Sequence, residues 1–444
     1  MTSRRQFISV SLAAGACVLL DSPLMAASGP VRSATAVAKV FGDGQKLVAV
    51  ALEYAAPIDG RSLSTTGWRV EGRTVTGVFA STSVNPADRA ARGRFVIIEL
   101  SPSDATALLR AGGAPGSGPP AGAGAPPAGA GGPPRNLSTN YLPAKATVIG
   151  TGRVRAAGGR SFAPSTAAIP TTQASNLLVD GFLQFSFSDP ATGDTMGYNL
   201  FLPAGYDRSK SYPLVLFMHD AGASSTDPLV TLKQGLGAVV WTEPAQQAKR
   251  PCIVLAPQWN GMVVNDNSET TSLFETTVHL LDKIVGDYAV DRNRIYSTGQ
   301  SGGAMMTIAI NIKYPDLFAA SFIVAGQWAP ELCKPIASCK MWIMVSEGDL
   351  KAFPGQNAIT AVLEGEGAKI TRATWDGRWS AAEFARAAAE VEAKGTAINY
   401  TPLVRGSVVP PGQNDNGGSN HVNTWRIAYT IEPIRDWLFR QRKG

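Results

Sequence analysis

Arg294-Ile295-Tyr296-Ser297-Thr298-Gly299-Gln300-Ser301-Gly302-Gly303-Ala304-Met305-Met306 is the stretch that decides the fold. It reads as a short strand, a Gly-x-Ser-x-Gly turn and the first turn of a helix, the layout of a nucleophile elbow. A sharp strand-to-helix turn lifts a serine Oγ clear of the sheet edge, and glycines on either side let the backbone bend without a Cβ clash. Glycine is abundant, 46 of 444 residues, so the five-residue match alone is weak. Its context strengthens it: residues 295–298 are strand-like, and residues 304–312 form an apolar helical run that stops at Tyr314-Pro315. Ser301 Oγ is the candidate nucleophile.

A serine nucleophile needs a general base, and the chain holds only three histidines, His219, His279 and His421. His279 lies in a helical pattern ahead of the nucleophile and reads as a packed or half-exposed helix residue. His219 ends the apolar run 214–218 and opens the loop Asp220-Ala221-Gly222, the place for an oxyanion-hole donor. In the elbow architecture the acid and then the base follow the serine along the chain, which leaves His421, in a loop at 417–421 after a strand-like run at 398–404. The acid belongs on the exit loop of a later strand. Met341-Trp342-Ile343-Met344-Val345 is such a strand, and Ser346-Glu347-Gly348-Asp349 is its exit. The separation of 349 − 301 = 48 residues leaves room for a helix, a strand, a crossover and a strand. Asp349 is the candidate acid and Glu347 the alternative. Asp349 would fix the His421 tautomer, His421 would take the proton from Ser301, and the N–H groups of Gly302 and Ala221 would hold the oxyanion, each worth on the order of 3 kcal/mol. Asp220 tolerates left-handed backbone angles, which would let the first donor loop keep its shape.

The runs Tyr198-Asn199-Leu200-Phe201-Leu202-Pro203, Pro213-Leu214-Val215-Leu216-Phe217-Met218-His219-Asp220-Ala221-Gly222, Gly299-Gln300-Ser301-Gly302-Gly303, Lys313-Tyr314-Pro315-Asp316-Leu317-Phe318 and His421-Val422-Asn423-Thr424-Trp425 carry a family resemblance. Over about residues 35–444 the chain resembles secreted α/β-hydrolase esterases related to polyhydroxybutyrate depolymerases and to predicted peptidases, in the subgroup with an Ig-like domain ahead of the hydrolase domain. The resemblance implies Ser301 as nucleophile, Asp349 as acid and His421 as base. One departure is that the usual His-Gly of the oxyanion loop is His219-Asp220 here.

Residues 1–27, with Arg4-Arg5-Gln6-Phe7-Ile8 before an apolar run, read as a twin-arginine signal peptide, which implies a periplasmic or secreted bacterial protein. Residues 34–171 show short alternating runs with turn signals, an all-β module that the resemblance labels Ig-like. Inside it, residues 111–134 are almost wholly Gly, Ala and Pro and read as a disordered insertion, with an interdomain linker as the alternative. Residues 176–444 alternate strands and helices. The expected fold class is therefore α/β, a mostly parallel sheet with helices on both faces, preceded by a small β sandwich.

Between Asp349 and His421 lies an excess of chain holding Trp375 and Trp379, and an insertion there would border the site mouth. These two tryptophans, with Trp328 and Trp259, are candidates for the substrate pocket, or else packing residues. Cys333 and Cys339 are spaced for a short-loop disulfide in an exported chain, and Cys252 reads as a buried thiol. No further segment is apolar enough to span a bilayer. No His/Cys/carboxylate cluster has metal-ligand spacing, so neither metal nor cofactor is expected. Formal charge is +6 with only 17% charged residues and no basic run, which argues against a nucleic-acid groove. The reading is a serine hydrolase of small-molecule or polymeric esters. A serine peptidase with the same triad and a catalytically silent binding protein are the alternatives. Oligomeric state is not legible.

Overall fold

The computed structural model describes residues 30–111 and 140–444. The signal segment at 1–27 and all but the first residue of the Gly/Ala/Pro block at 111–134 lie outside the described residues.

The N-terminal module is a β sandwich. One sheet orders its strands Gln173–Leu177, Val31–Phe41, Gly44–Asp59, Arg92–Leu100 and Val75–Ser81, and the other Trp68–Val70, Thr147–Gly150 and Ser165–Pro170. Alternation along the strands turns Val50, Leu52, Val96, Ile98, Trp68 and Val148 into a shared core. The module thus begins at Val31 and ends at Leu177, outside the 34–171 read from pattern, because Gln173–Leu177 pairs in parallel along Val31–Phe41.

The C-terminal domain is an α/β-hydrolase fold on a nine-stranded sheet. Its strand order is Leu183–Ser188, Thr195–Phe201, Ile253–Gln258, Tyr212–Met218, Val290–Gln300, Ala320–Val324, Met341–Met344, Ile398–Tyr400 and Ile370–Arg372. The pairs made by Thr195–Phe201 are antiparallel and all others are parallel. Parallel strands connected by helices are covered on both faces, so their sequences run apolar without alternation: all seven residues of Tyr212–Met218 are buried. Helices Leu273–Asp287, Gly302–Lys313 and Ala352–Gly365 cover one face. Ala381–Glu392, Gly417–Ala428 and Glu432–Arg440 cover the other.

The tryptophans and cysteines differ from expectation. Trp375 is 1% exposed; its N–H donates to the Pro402 carbonyl at 2.8 Å, continuing the sheet beside Leu403. Its ring packs on Trp342, Trp379 and Phe384. The insertion between acid and base therefore supplies a covering helix for the second face, and its aromatics fill that face instead of a substrate pocket. Trp259 is buried with its Nε1–H donating to Thr277 Oγ1 at 3.0 Å, and Trp328 is buried in the first-face core. Cys333 and Cys339 are free thiols. Cys333 Sγ donates to the Ala329 carbonyl at 3.4 Å and Cys339 Sγ to that of Pro315 at 3.6 Å, so the sulfurs are committed to different carbonyls and the expected bridge is not formed.

Burial pushes the thiols of Cys252 and Cys333 up to about 12 and that of Cys339 up to about 11, so all three stay protonated at neutral pH. The folded protein should leave all three unreactive toward Ellman's reagent and release them in denaturant, with melting unchanged by reductant. Rapid labelling of native Cys333 or Cys339 would contradict this packing. Trp375→Ala should cost roughly 3–5 kcal/mol, read as a large fall in denaturation midpoint, without changing KM for small substrates.

Candidate active site

The Val290–Gln300 strand runs in parallel between Tyr212–Met218 and Ala320–Val324, so its C-terminal end opens at the centre of the sheet edge. There the chain reverses into helix Gly302–Lys313, and Ser301 sits at the corner with φ 51° and ψ −117°. That left-handed φ in a residue with a side chain is the strain of a nucleophile elbow. It is held by the Ser301 N–H donating to the Val324 carbonyl at 3.0 Å and the Ser301 carbonyl accepting from Met305 at 2.9 Å. Gly299 and Gly303 are needed for contact, not for φ. A Cβ at Gly299 would lie 2.3 Å from the Gly303 carbonyl carbon, and one at Gly303 would lie 2.0 Å from the Met218 carbonyl oxygen.

Three chain segments meet at this corner. His421 Nε2 lies 2.8 Å from Ser301 Oγ, and His421 Nδ1 lies 2.5 Å from Asp349 Oδ2. A carboxylate can only accept, so the ring proton sits on Nδ1 and Nε2 is left to accept from the serine hydroxyl. Asp349 is 3% exposed, and its Oδ1 accepts from the backbone N–H groups of Lys351 at 3.0 Å and Ala352 at 2.9 Å. Burial works to raise the Asp349 pKa, but the His421 ring and these two N–H groups outweigh it and hold the carboxyl below its usual range. Glu347 turns away, its Oε2 accepting from the Arg405 N–H at 3.3 Å.

His421 lies not on a loop but early in helix Gly417–Ala428, which a capping box between Asn416 and Ser419 starts. The Gly417-Gly418 pair hides this start from a propensity reading. The ring meets the edge of Trp425 at 5.3 Å and 87°. Asn420 is a residue that the sequence reading missed. Fully buried, it accepts from Ser346 Oγ at 2.8 Å and from the Gly406 N–H at 3.0 Å, tying the base helix to the acid loop. A Cβ at Gly348 would lie 2.2 Å from Asn420 Cγ, so the backbone of the loop packs directly on the Asn420 side chain. The signal available was its place beside the only usable histidine.

The loop expected to carry an oxyanion donor follows Met218. His219 is fully buried; its Nδ1 lies 2.7 Å from the Asp220 carbonyl, and its Nε2 accepts from the Trp259 N–H at 3.0 Å. Burial pushes its pKa down, so the ring is neutral with its proton on Nδ1. In a trans peptide the C=O and the next N–H point opposite ways, so pinning the Asp220 carbonyl aims the Ala221 N–H away from His219. Asp220 has ordinary extended angles, φ −72° and ψ 163°, and caps the short turn Ala221–Ala223. The left-handed backbone expected of it is not used. A Cβ on Gly302 would lie 3.3 Å from the Ala221 nitrogen, so the Gly302 and Ala221 backbones meet beside Ser301.

Above Ser301 opens a cleft of about 740 Å³, whose walls include Met262, Val264, Met305 and Leu350 with Asp266, Gln327 and Lys351 at the rim. Lys351 Nζ pairs with Asp266 Oδ2 at 2.5 Å, and Gln327 donates to Asp266 Oδ1 at 3.0 Å. None of Trp259, Trp328, Trp375 and Trp379 lines the cleft. The second His–carboxylate contact, His279 Nδ1 to Asp189 Oδ2 at 2.6 Å, has no serine in it. Among the described residues no group of three or more His, Cys, Asp or Glu could hold a metal ion, and no helix is long and apolar enough to cross a membrane.

Comparison with known proteins gives a consistent result. Residues 33–163 match the family described as Esterase Ig-like N-terminal domain. The crystal structure of a thermostable esterase is 26% identical, with a TM-score of 0.75, over 93% of this chain and 100% of that chain. A probable feruloyl esterase C of Aspergillus terreus is 28% identical over 130 residues, 29% of this chain and 46% of that protein. An acetylxylan esterase A of Aspergillus ficuum is 29% identical over 105 residues, 24% of this chain and 33% of that protein. The chain thus spans less than half the length of either curated relative. Over nearly its whole length, however, it is built like the thermostable esterase, with an Ig-like domain that matches the esterase N-terminal family model joined to an α/β-hydrolase domain.

Proposed function

We propose that the protein is a serine hydrolase that cleaves carboxylic esters through an acyl-enzyme, with Ser301, His421 and Asp349 as its triad. The observation that carries this reading is the unbroken relay from Ser301 Oγ through His421 to Asp349, at 2.8 Å and 2.5 Å, at the floor of an open cleft. In the first step Ser301 Oγ adds to the ester carbonyl carbon while His421 Nε2 takes its proton. Asp349 keeps Nδ1 protonated and balances the imidazolium that forms. The N–H groups of Gly302 and Ala221 receive the carbonyl oxygen as it becomes an oxyanion, a contribution of about 3 kcal/mol per donor. His421 returns the proton to the leaving alcohol, and water repeats the sequence on the acyl-enzyme. Apolar walls at Met262, Val264, Met305 and Leu350 favour an uncharged acyl or alcohol group. The twin-arginine pattern at residues 1–27 supports export, with the ester met outside the cytoplasm.

Two predictions follow from this chemistry. Wild type should hydrolyse p-nitrophenyl esters, with Ser301→Ala lowering kcat by about 10³-fold or more, and wild type should leave peptide anilides intact. Ester turnover that survives the substitution would refute the nucleophile, and anilide turnover alone would move the activity to amides. Asp349, with its folded pKa depressed, supplies stability present above the ordinary carboxylate value of about 3.9 and lost as pH falls through the lower folded value. Acid unfolding followed by circular dichroism should therefore be less steep in Asp349→Asn. An identical acid limb in the variant would show that this carboxylate contributes nothing.

A further inference from the structure

We infer that Asp220 is a positioning residue: its carboxylate locks the loop bearing the Ala221 N–H to the elbow bearing the Gly302 N–H, so the two oxyanion donors share one rigid frame. The inference rests on the hydrolase reading of Ser301. Asp220 Oδ1 accepts from the Gly222 N–H at 2.8 Å, and a Cβ at Gly222 would lie 2.9 Å from that oxygen, so the turn is closed tightly on the carboxylate. Asp220 Oδ2 accepts from Gln300 Nε2 at 3.1 Å. Gln300 is the residue immediately before Ser301 and is 1% exposed. Its Nε2 also donates to Gln234 Oε1 at 3.2 Å, while its own Oε1 is buried without a hydrogen-bond partner among the described residues.

That orphaned carbonyl shows what sets the amide's orientation. Turning it over would place Gln300 Oε1 against the Asp220 carboxylate and Gln234 Oε1, acceptor against acceptors. Leaving one acceptor unpaired is the smaller loss because the retained bond goes to a charged group. On the other side of the loop, His219 holds the Asp220 carbonyl at 2.7 Å. The Asp220–Ala221 peptide is thus held from both sides: its carbonyl by His219, and the turn that follows by the Asp220 side chain. The second carboxylate oxygen carries that fixed frame to the elbow. Donors fixed before the reaction need no reorganisation as charge develops, which raises kcat without tightening the ground state. An aspartate is suited to this because it offers two acceptor oxygens in different directions; asparagine at the same place would keep the turn and present a donor to Gln300 Nε2.

The test compares wild type, Asp220→Asn, Gln300→Glu, the combined variant and Ser301→Ala on p-nitrophenyl acetate, with melting temperatures alongside. Each single substitution should lower kcat about tenfold or more while KM stays within about twofold, since the loss falls on the transition state. In the combined variant the new amide faces the new carboxylate, a reversed donor–acceptor pair, and most of the lost kcat should return. Single variants with kcat within about twofold of wild type would overturn the inference, as would a folded combined variant no faster than the slower single one. If the Gln300→Glu chains do not fold, Asp220→Asn decides alone, because its site is only partly buried: unchanged kcat overturns the inference, and lowered kcat with unchanged KM supports it. Wild-type turnover that does not depend on Ser301 overturns the hydrolase reading itself and the inference with it.

Discussion

The contact between Gly303 and the carbonyls of Met218 and His219 is the constraint on which the site depends. A Cβ at residue 303 would lie 2.0 Å from the Met218 oxygen and 2.8 Å from that of His219, so the elbow helix crosses the end of the neighbouring strand with backbone on backbone. Two consequences follow from that one crossing. The chain leaving Ser301 can turn into helix only with the strained φ of 51°, which projects the hydroxyl outward. The loop leaving Met218 must also pass directly beside residue 302, bringing the Ala221 nitrogen to 3.3 Å from a Cβ position on Gly302. The proposed nucleophile and oxyanion donors are therefore products of one packing event. Any side chain at 303 would separate both.

A second close approach sets the base. Gly348 of the acid loop lies against Asn420 of the base helix, and Gly42 of the β sandwich lies against Arg426 of the same helix, where a Cβ would come within 2.9 Å of the Arg426 Cα. Between those contacts stand His421 and Trp425, edge to face. Val40, next to the Gly42 turn, belongs to the apolar cluster that includes Trp425 and Ala428. The helix bearing His421 is thus packed between the loop bearing Asp349 and the β sandwich.

The grouping of Ser301, His421 and Asp349 was legible because the proposed chemistry is exclusive: three histidines, one chain order, and one strand exit with a carboxylate pointed to these three side chains, which lie in hydrogen-bond contact. The parallel sheet was legible because strands buried on both faces read as unbroken apolar runs, as in Tyr212–Met218. What escaped depends on the direction of single side chains. Trp375 and Trp379 stand in an irregular segment with no period to assign a face, and the helix they cover, Ala381–Glu392, draws them onto the sheet. The spacing of Cys333 and Cys339 says nothing of Cβ vectors, and each thiol donates to a carbonyl of its own. The cleft walls at Met262, Val264 and Leu350 come from loops whose apolar residues resemble any other surface loop.

Asp220 brings two opposed effects together. A carboxylate one residue from an oxyanion donor opposes negative charge on the substrate oxygen, and a low-dielectric site strengthens that opposition. The opposition is reduced where the carboxylate's oxygens are occupied, one by the Gly222 N–H and the other by Gln300 Nε2. In the proposed mechanism Asp349 stands in the reverse relation, its charge placed behind an imidazole that would become positive as the oxyanion forms. The site therefore contains two carboxylates with different tasks. In the proposed reaction Asp349 stabilises charge that appears during turnover. Asp220 gives up some of that stabilisation in exchange for fixing, before any substrate arrives, where the Ala221 donor points.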